Sequence, residues 1–207
     1  MIPSEPFSFV NKYKMIIHYS EGKSKENFYD RNKVMQMAYK MLESGEVVCP
    51  ICVGMLGLHG TYRRYLKDSE AKRHEGWIAQ SHCAGCKKYH SLIPSFIKPN
   101  KQYEAEVIEE AIKAQEAGEL KRSDCPANET TIRRWVREFR EGGSVAVGWL
   151  QSIIYNIYNE HISVVETKKE GLMTQLERLT GRLLGNRVGS VIGRANIILT
   201  KYNHGFL

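Results

Sequence analysis

The strongest constraint on this chain is the placement of its cysteines. Four of the five occur as Cys49-Pro-Ile-Cys52 and Cys83-Ala-Gly-Cys86, with thirty residues between the pairs. A Cys-x-x-Cys turn aims two thiolates at one point, and two such turns joined by a hairpin complete a tetrahedral four-thiolate zinc site. Gly54 and Gly85 are expected to give the turns their backbone freedom. A site closed by four cysteines leaves no open position for chemistry, so zinc is expected as a structural cofactor. A redox pair, an iron–sulfur site and a disulfide framework are the competing readings. A ribbon this small buries little core, so the metal should supply most of its folding energy. Cys125 is left over and reads as an ordinary buried or half-buried thiol.

The opening residues lack a basic region followed by an apolar run, and paired Cys-x-x-Cys in a cytoplasmic protein reads as metal rather than disulfide. A cytoplasmic location is therefore expected. The longest uncharged run, residues 142–159, carries glycines, serines and asparagines. It falls short of the roughly twenty apolar residues of a membrane span and reads as a core helix, with no membrane role.

Patterning divides the chain into four parts, giving an α+β fold in which a small β zinc ribbon precedes a mostly helical region. Residues 1–46 form a cap, with a short strand at 14–19 and a helix at 28–43 stopped by Ser44 and Gly45. Residues 47–99 are the ribbon, with strands near 58–66 and 76–82, a charged loop between them, and an extended exit strand at 92–99. Residues 100–142 hold two helices, at 103–117 and 129–140, expected as a helix-turn-helix. Gly118 fits the end of the first helix. Asn128 suits the start of the second, and Gly142-Gly143 its end. Residues 143–207 are helical, with stripes at Leu150, Ile153, Ile154, Ile157, His161 and Ile162, and at Leu172, Leu176, Leu179 and Leu183. A last helix at 188–202 is expected to be broken by Gly189 and Gly193.

The net charge of +7 admits a nucleic-acid partner. Between His59 and His90 seven Lys or Arg face three acids, with Tyr62, Tyr65, Trp77 and Tyr89 among them. Arg63, Arg64, Lys72, Arg73, Lys87 and Lys88 are the ribbon's candidate phosphate contacts, and the aromatics suit stacking. The bland alternative is a solvated face around a small aromatic core. His59, His74, His82 and His90 face a site already filled by thiolates, so each reads as an exposed or structural histidine. In the helix at 129–140, Ile132, Trp135, Val136 and Phe139 share one face. Thr130, Thr131, Arg133, Arg134 and Arg137 lie on the other, where they could meet bases and phosphates in the major groove.

The order of these motifs carries a resemblance. Cys49-Pro-x-Cys52, Gly60-x-Tyr62-Arg63-Arg64, Cys83-x-x-Cys86, Leu92-Ile93-Pro94-Ser95-Phe96 and Thr131-Ile132-Arg133-Arg134-Trp135 follow one another. Residues 47–140 thereby resemble a bacterial domain family of unknown function that pairs a zinc ribbon with a helix-turn-helix. They are also similar to the N-terminal DNA-recognition half of insertion-sequence transposases. The resemblance implies DNA recognition. A transposase of the usual kind needs three carboxylates around two metals. The only aspartates here are Asp30, Asp68 and Asp124, and none ends an apolar strand. No enzyme is expected. The expectation is a zinc-dependent, sequence-specific DNA-binding protein, a transcriptional regulator or the targeting part of a mobile element. Double-stranded DNA is the expected partner, with RNA open and a homodimer or partner protein through residues 145–207. The rival readings are a protein-interaction adaptor and a metal-assisted nuclease.

Overall fold

The computed structural model describes residues 24–45, 47–119, 125–162, 170–184 and 189–201. The strand expected at 14–19 lies outside them. The fold is α+β: a three-stranded antiparallel sheet with four clustered cysteines, followed by a mostly helical region.

The helix expected over 28–43 is α2 (Arg31–Glu43), preceded by a short separate helix, α1 (Ser24–Phe28). Asp30 divides them. It sits in extended backbone and its carboxylate accepts hydrogen bonds from the Asn32 and Lys33 amides, an N-cap that starts a new helix. Strands β1 (Leu56–Lys67), β2 (Arg73–Cys83) and β3 (Tyr89–Leu92) form a meander in that order. Ala79 and Ile78 point to opposite faces, as pleating requires. Ala79 packs with Leu56 and Leu92 under Val34, Ala38 and Leu42 of α2. Ile78 packs with Leu66, Phe28, Ile93, Phe96 and Ile97. The described part of the N-terminal cap therefore covers the ribbon.

The exit strand expected at 92–99 is shorter and earlier. Pairing with β2 occupies 89–92, and the chain then runs as a buried irregular segment. Pro94 and Pro99 have no N–H to give a ladder. Other bonds hold this segment. Arg64 donates to the carbonyls of Lys98 and Lys101 at 2.6 and 2.9 Å, and the Ala105 amide donates to Phe96 O at 2.8 Å. Residues 102–104 pair with Lys67 at the end of β1.

Helix α3 (Ala105–Ala117) ends at Gly118, which takes the left-handed conformation at φ 70°. Helix α4 spans Glu129–Tyr158, with Asn128 Oδ1 accepting from the Thr131 amide at 2.8 Å. The Gly142-Gly143 pair does not close it. A Cβ on Gly143 would lie 2.6 Å from Leu172 Cδ2, so this glycine makes room for the first residue of α5 (Leu172–Leu184) against α4. The last helix, α6 (Val191–Lys201), likewise runs through Gly193, whose missing Cβ leaves room for the Ser95 carbonyl. Helices α3 to α6 share one core, built around Ile112, Trp135, Phe139, Leu150, Leu176 and Ile192. Cys125 is buried in it. The expected stripe on α4 holds at Leu150, Ile153 and Ile154. It fails at Ile157, exposed in the last turn of the helix, and at His161, exposed beyond the helix end at Tyr158.

The glycines of α4 make a direct test. Gly143→Ala should destabilise the chain by about 1–3 kcal/mol through overlap with Leu172. Gly148 lies on the same helix with open space around its missing Cβ. Gly148→Ala should stabilise by roughly 0.5–1 kcal/mol by restricting the unfolded backbone. Urea unfolding of the two variants should therefore shift in opposite directions.

Candidate metal centre and basic faces

Two short loops carry the cysteines, and they are built alike. In the first, the Cys49 amide donates to Gly54 O and the Val53 amide to Cys49 O, both at 2.8 Å. In the second, the Cys83 amide donates to Lys88 O and the Lys87 amide to Cys83 O, both at 2.9 Å. The left-handed residue of each turn comes four positions after its first cysteine. It is Val53 in one and Lys87 in the other, each at φ 59°. Gly54 and Gly85 are thus not the conformationally special residues expected from sequence. Their role is space. A Cβ on either would stand 3.3 Å from Cys52 Sγ, and further contacts to Cys83 Sγ follow at 3.5 and 3.7 Å.

The result is a cluster in which the Sγ atoms of Cys49, Cys52, Cys83 and Cys86 all lie within 4.8 Å of one another. Cys49 and Cys86 are 3.5 Å apart, Cys52 and Cys83 3.4 Å. Zinc bound tetrahedrally at about 2.3 Å would hold sulfurs at roughly 3.8 Å, so the donor set fits such an ion. These four cysteines are close enough to hold a metal. The Cys86 amide and its neighbours aim at Cys83 and draw its thiol down to about 6, while burial pushes Cys49 up. A thiol that ionises readily beside one that resists is a pair that metal binding would bring to a common thiolate state.

One contributor was not foreseen as such. His90 on β3 is 2 % exposed, and its Nε2 lies 3.4 Å from Cys49 Sγ. With Nε2 protonated it donates to the sulfur and steadies it from behind. The spacing from Cys86 gives no hint of this, because the contact depends on the register of β3 with β2. His74 is instead bound to Asp68 in the hairpin loop at 2.6 Å.

The ribbon's candidate cations divide into two groups. Lys72, Arg73, Lys87 and Lys88 are exposed, and the Arg73 guanidinium stacks 3.5 Å from the Tyr65 ring centroid. Arg63 is exposed, lies over Trp77 and pairs with Glu75 at 3.0 Å. Arg64 is turned inward to the two carbonyls above, and burial lowers its pKa. Its guanidinium is committed to the fold. On α4, Ile132, Trp135, Val136 and Phe139 are buried as their spacing implies, and Thr130, Arg133, Arg134 and Arg137 are exposed, with Thr131 half-buried. Arg133 pairs with Glu129 at 2.6 Å and Arg134 with Glu138 at 4.0 Å. Helices α3 and α4 pack together, but the eleven residues between them exceed the three- or four-residue turn of a simple helix-turn-helix.

Residues 49–135 match the family model described as a domain of unknown function, DUF6431. The matched stretch begins at the first cysteine ligand candidate and ends on Trp135 within α4, so it spans the metal centre, the sheet and α3. No curated protein and no solved structure matches the chain. Among the described residues no helix is long and apolar enough to cross a membrane.

His90→Ala should leave the four cysteines in place and weaken metal binding by roughly 10- to 100-fold, as loss of a partner behind a ligand does elsewhere. Competition with a chelating dye, monitored spectrophotometrically, reads this directly.

Proposed function

We propose that the chain is a cytoplasmic, zinc-dependent DNA-binding protein, acting as a transcriptional regulator or as the DNA-targeting part of a mobile element. The observation that carries the reading is the exposed arginine face of α4. Arg133, Arg134 and Arg137 stand opposite a fully buried stripe, in the first three turns of a helix whose N-terminus is capped by Asn128. Arginine forks match guanine O6 and N7, and Thr130 with the helix N-terminus suits phosphate. The Arg133–Glu129 pair is solvent-exposed, so it contributes little and can give way to a phosphate, and Arg134 is held only loosely, 4.0 Å from the half-buried Glu138. Zinc at Cys49, Cys52, Cys83 and Cys86 would lock the two loops and so present Arg63, Arg73, Lys87 and Lys88 as a second, phosphate-directed grip. The reading assigns the chain no catalytic step.

A second reading has its own observation. The later half of α4 carries no charge from residue 142 to 159, yet Val145 is 60 % exposed and Trp149 39 %. An uncharged, partly apolar outer helix face suits a protein partner or a second copy of the chain, and favours an adaptor.

Fluorescence anisotropy on labelled duplexes at several salt concentrations separates the two. Phosphate contacts make log K fall linearly with log salt. Arg133→Ala and Arg137→Ala should each cost about 1–3 kcal/mol where the residue reads a base. Chelation of the metal should weaken binding while leaving the later helices formed by circular dichroism. Equal, weak affinity for every duplex drawn from a random pool would sink the sequence-specific reading.

A further inference from the structure

Three aromatic rings meet on the sheet face turned away from the cysteines. His90 lies opposite Ser81 in the β2–β3 ladder and reaches Cys49. Its neighbour Tyr89 and the cross-strand partner His82 must then point to the other face. A third ring comes from β1. The β1–β2 register shifts between Leu58 and Gly60, leaving His59 as the extra residue with no partner opposite. Such a bulge re-aims a side chain, and here the His59 ring lies 4.7 Å from Tyr89. His82 lies 4.8 Å from Tyr89 on the neighbouring strand. The patch thus draws one ring from each of the three strands.

The patch is open and its surroundings are cationic. Nearer α3 the same face is closed by Phe96 and Ile97, but Tyr89 is 46 % exposed and His59 is exposed. Neither residues 47–67 nor residues 76–103 contain an aspartate or glutamate, so no carboxylate from the ring-bearing strand segments faces a ligand. Lys87 and Lys88, immediately before Tyr89, are exposed. Beside four thiolates around a divalent ion, these lysines keep the patch from repelling a phosphate backbone.

We infer that His59, His82 and Tyr89 form a platform on which unpaired bases of a nucleic-acid strand stack, with Lys87 and Lys88 beside its phosphates. Flat rings with an exposed face accept any base, and each stacked base contributes enough to be seen on loss of a single ring. The inference rests on the nucleic-acid reading above and adds a contact separate from α4.

The test uses the full chain with zinc bound and labelled oligothymidylate and oligouridylate of about 15 nucleotides, near the upper end of single-domain site sizes. Anisotropy should show binding that Tyr89→Leu weakens roughly 10-fold or more and that Tyr89→Phe preserves within about twofold. His59→Ala should weaken it in the same sense, and zinc content should be unchanged in all three. Equal loss for the two sugars identifies the base as the bound group, and loss confined to oligouridylate identifies RNA. No binding by the parent chain, or Tyr89→Leu indistinguishable from it, overturns the platform. The same follows if Tyr89→Phe is as damaging as Tyr89→Leu. Duplex binding measured alongside keeps the readings apart. Its loss in Arg133→Ala with oligothymidylate binding intact supports both, and absence of duplex binding alone removes the α4 reading while leaving the platform.

Discussion

Convergence of four sulfurs on one point is the interaction from which the rest of the ribbon is laid out. It sets the ends of β1 and β2, since Leu56 pairs with Cys83 at the mouth of the site. It holds a β-branched residue, Val53, in the left-handed region, which costs a free chain energy and persists only where its surroundings impose it. It excludes side chains at two positions, where Gly54 and Gly85 leave the sulfurs their volume. Two backbone-to-backbone hydrogen bonds brace each loop, and further backbone amides point at the sulfurs. A bound metal ion would offset that strain and the crowding of ionisable sulfurs.

From that end the order passes to the helices through a short, well-bonded segment. Lys67 closes β1 against residues 102–104, and Arg64 holds the carbonyls of Lys98 and Lys101. Lys101 in turn pairs with Glu138 on α4, and Tyr103 packs edge-on against Trp135 at 5.4 Å. A strand residue that sequence patterning places among the phosphate contacts is therefore a joint between the sheet and the helix that carries the other arginines. Replacing Arg64 would disturb α4 by way of the fold, and reduced nucleic-acid affinity in such a variant is no evidence of a phosphate contact.

The cysteine cluster is legible from its two matching Cys-x-x-Cys turns, and the helix termini at Asn128, Gly118 and Ser44 and the α4 stripe are legible because each depends on neighbours within a few positions. What was not legible depends on partners far along the chain. Gly142-Gly143 reads as a stop by propensity, and tertiary packing overrides it: Leu172 uses the gap at Gly143. Pro94 and Pro99 make residues 92–99 look extended, whereas the ladder ends at Leu92, before prolines that have no N–H to offer. Asp30 could have been recognised as a cap from its position ahead of the apolar spacing in α2. His90 and His59 could not, since one owes its role to strand register and the other to a bulge.

Charge decides whether a metal site and the proposed nucleic-acid surface can share so small a sheet. Four thiolates around a divalent ion carry a double negative charge, which alone would turn a phosphate backbone away. The second loop answers with Lys87 and Lys88, one of them at the very position whose left-handed backbone closes the turn. The first loop has no cation and exposes Ile51, Val53 and Met55 instead. The two loops match in backbone and differ in side chains, so the similarity is what the metal requires and the difference is free to serve recognition. A polyanion would approach from the side of the lysines, where the His59 and Tyr89 rings also lie open. The apolar loop would be left clear of it.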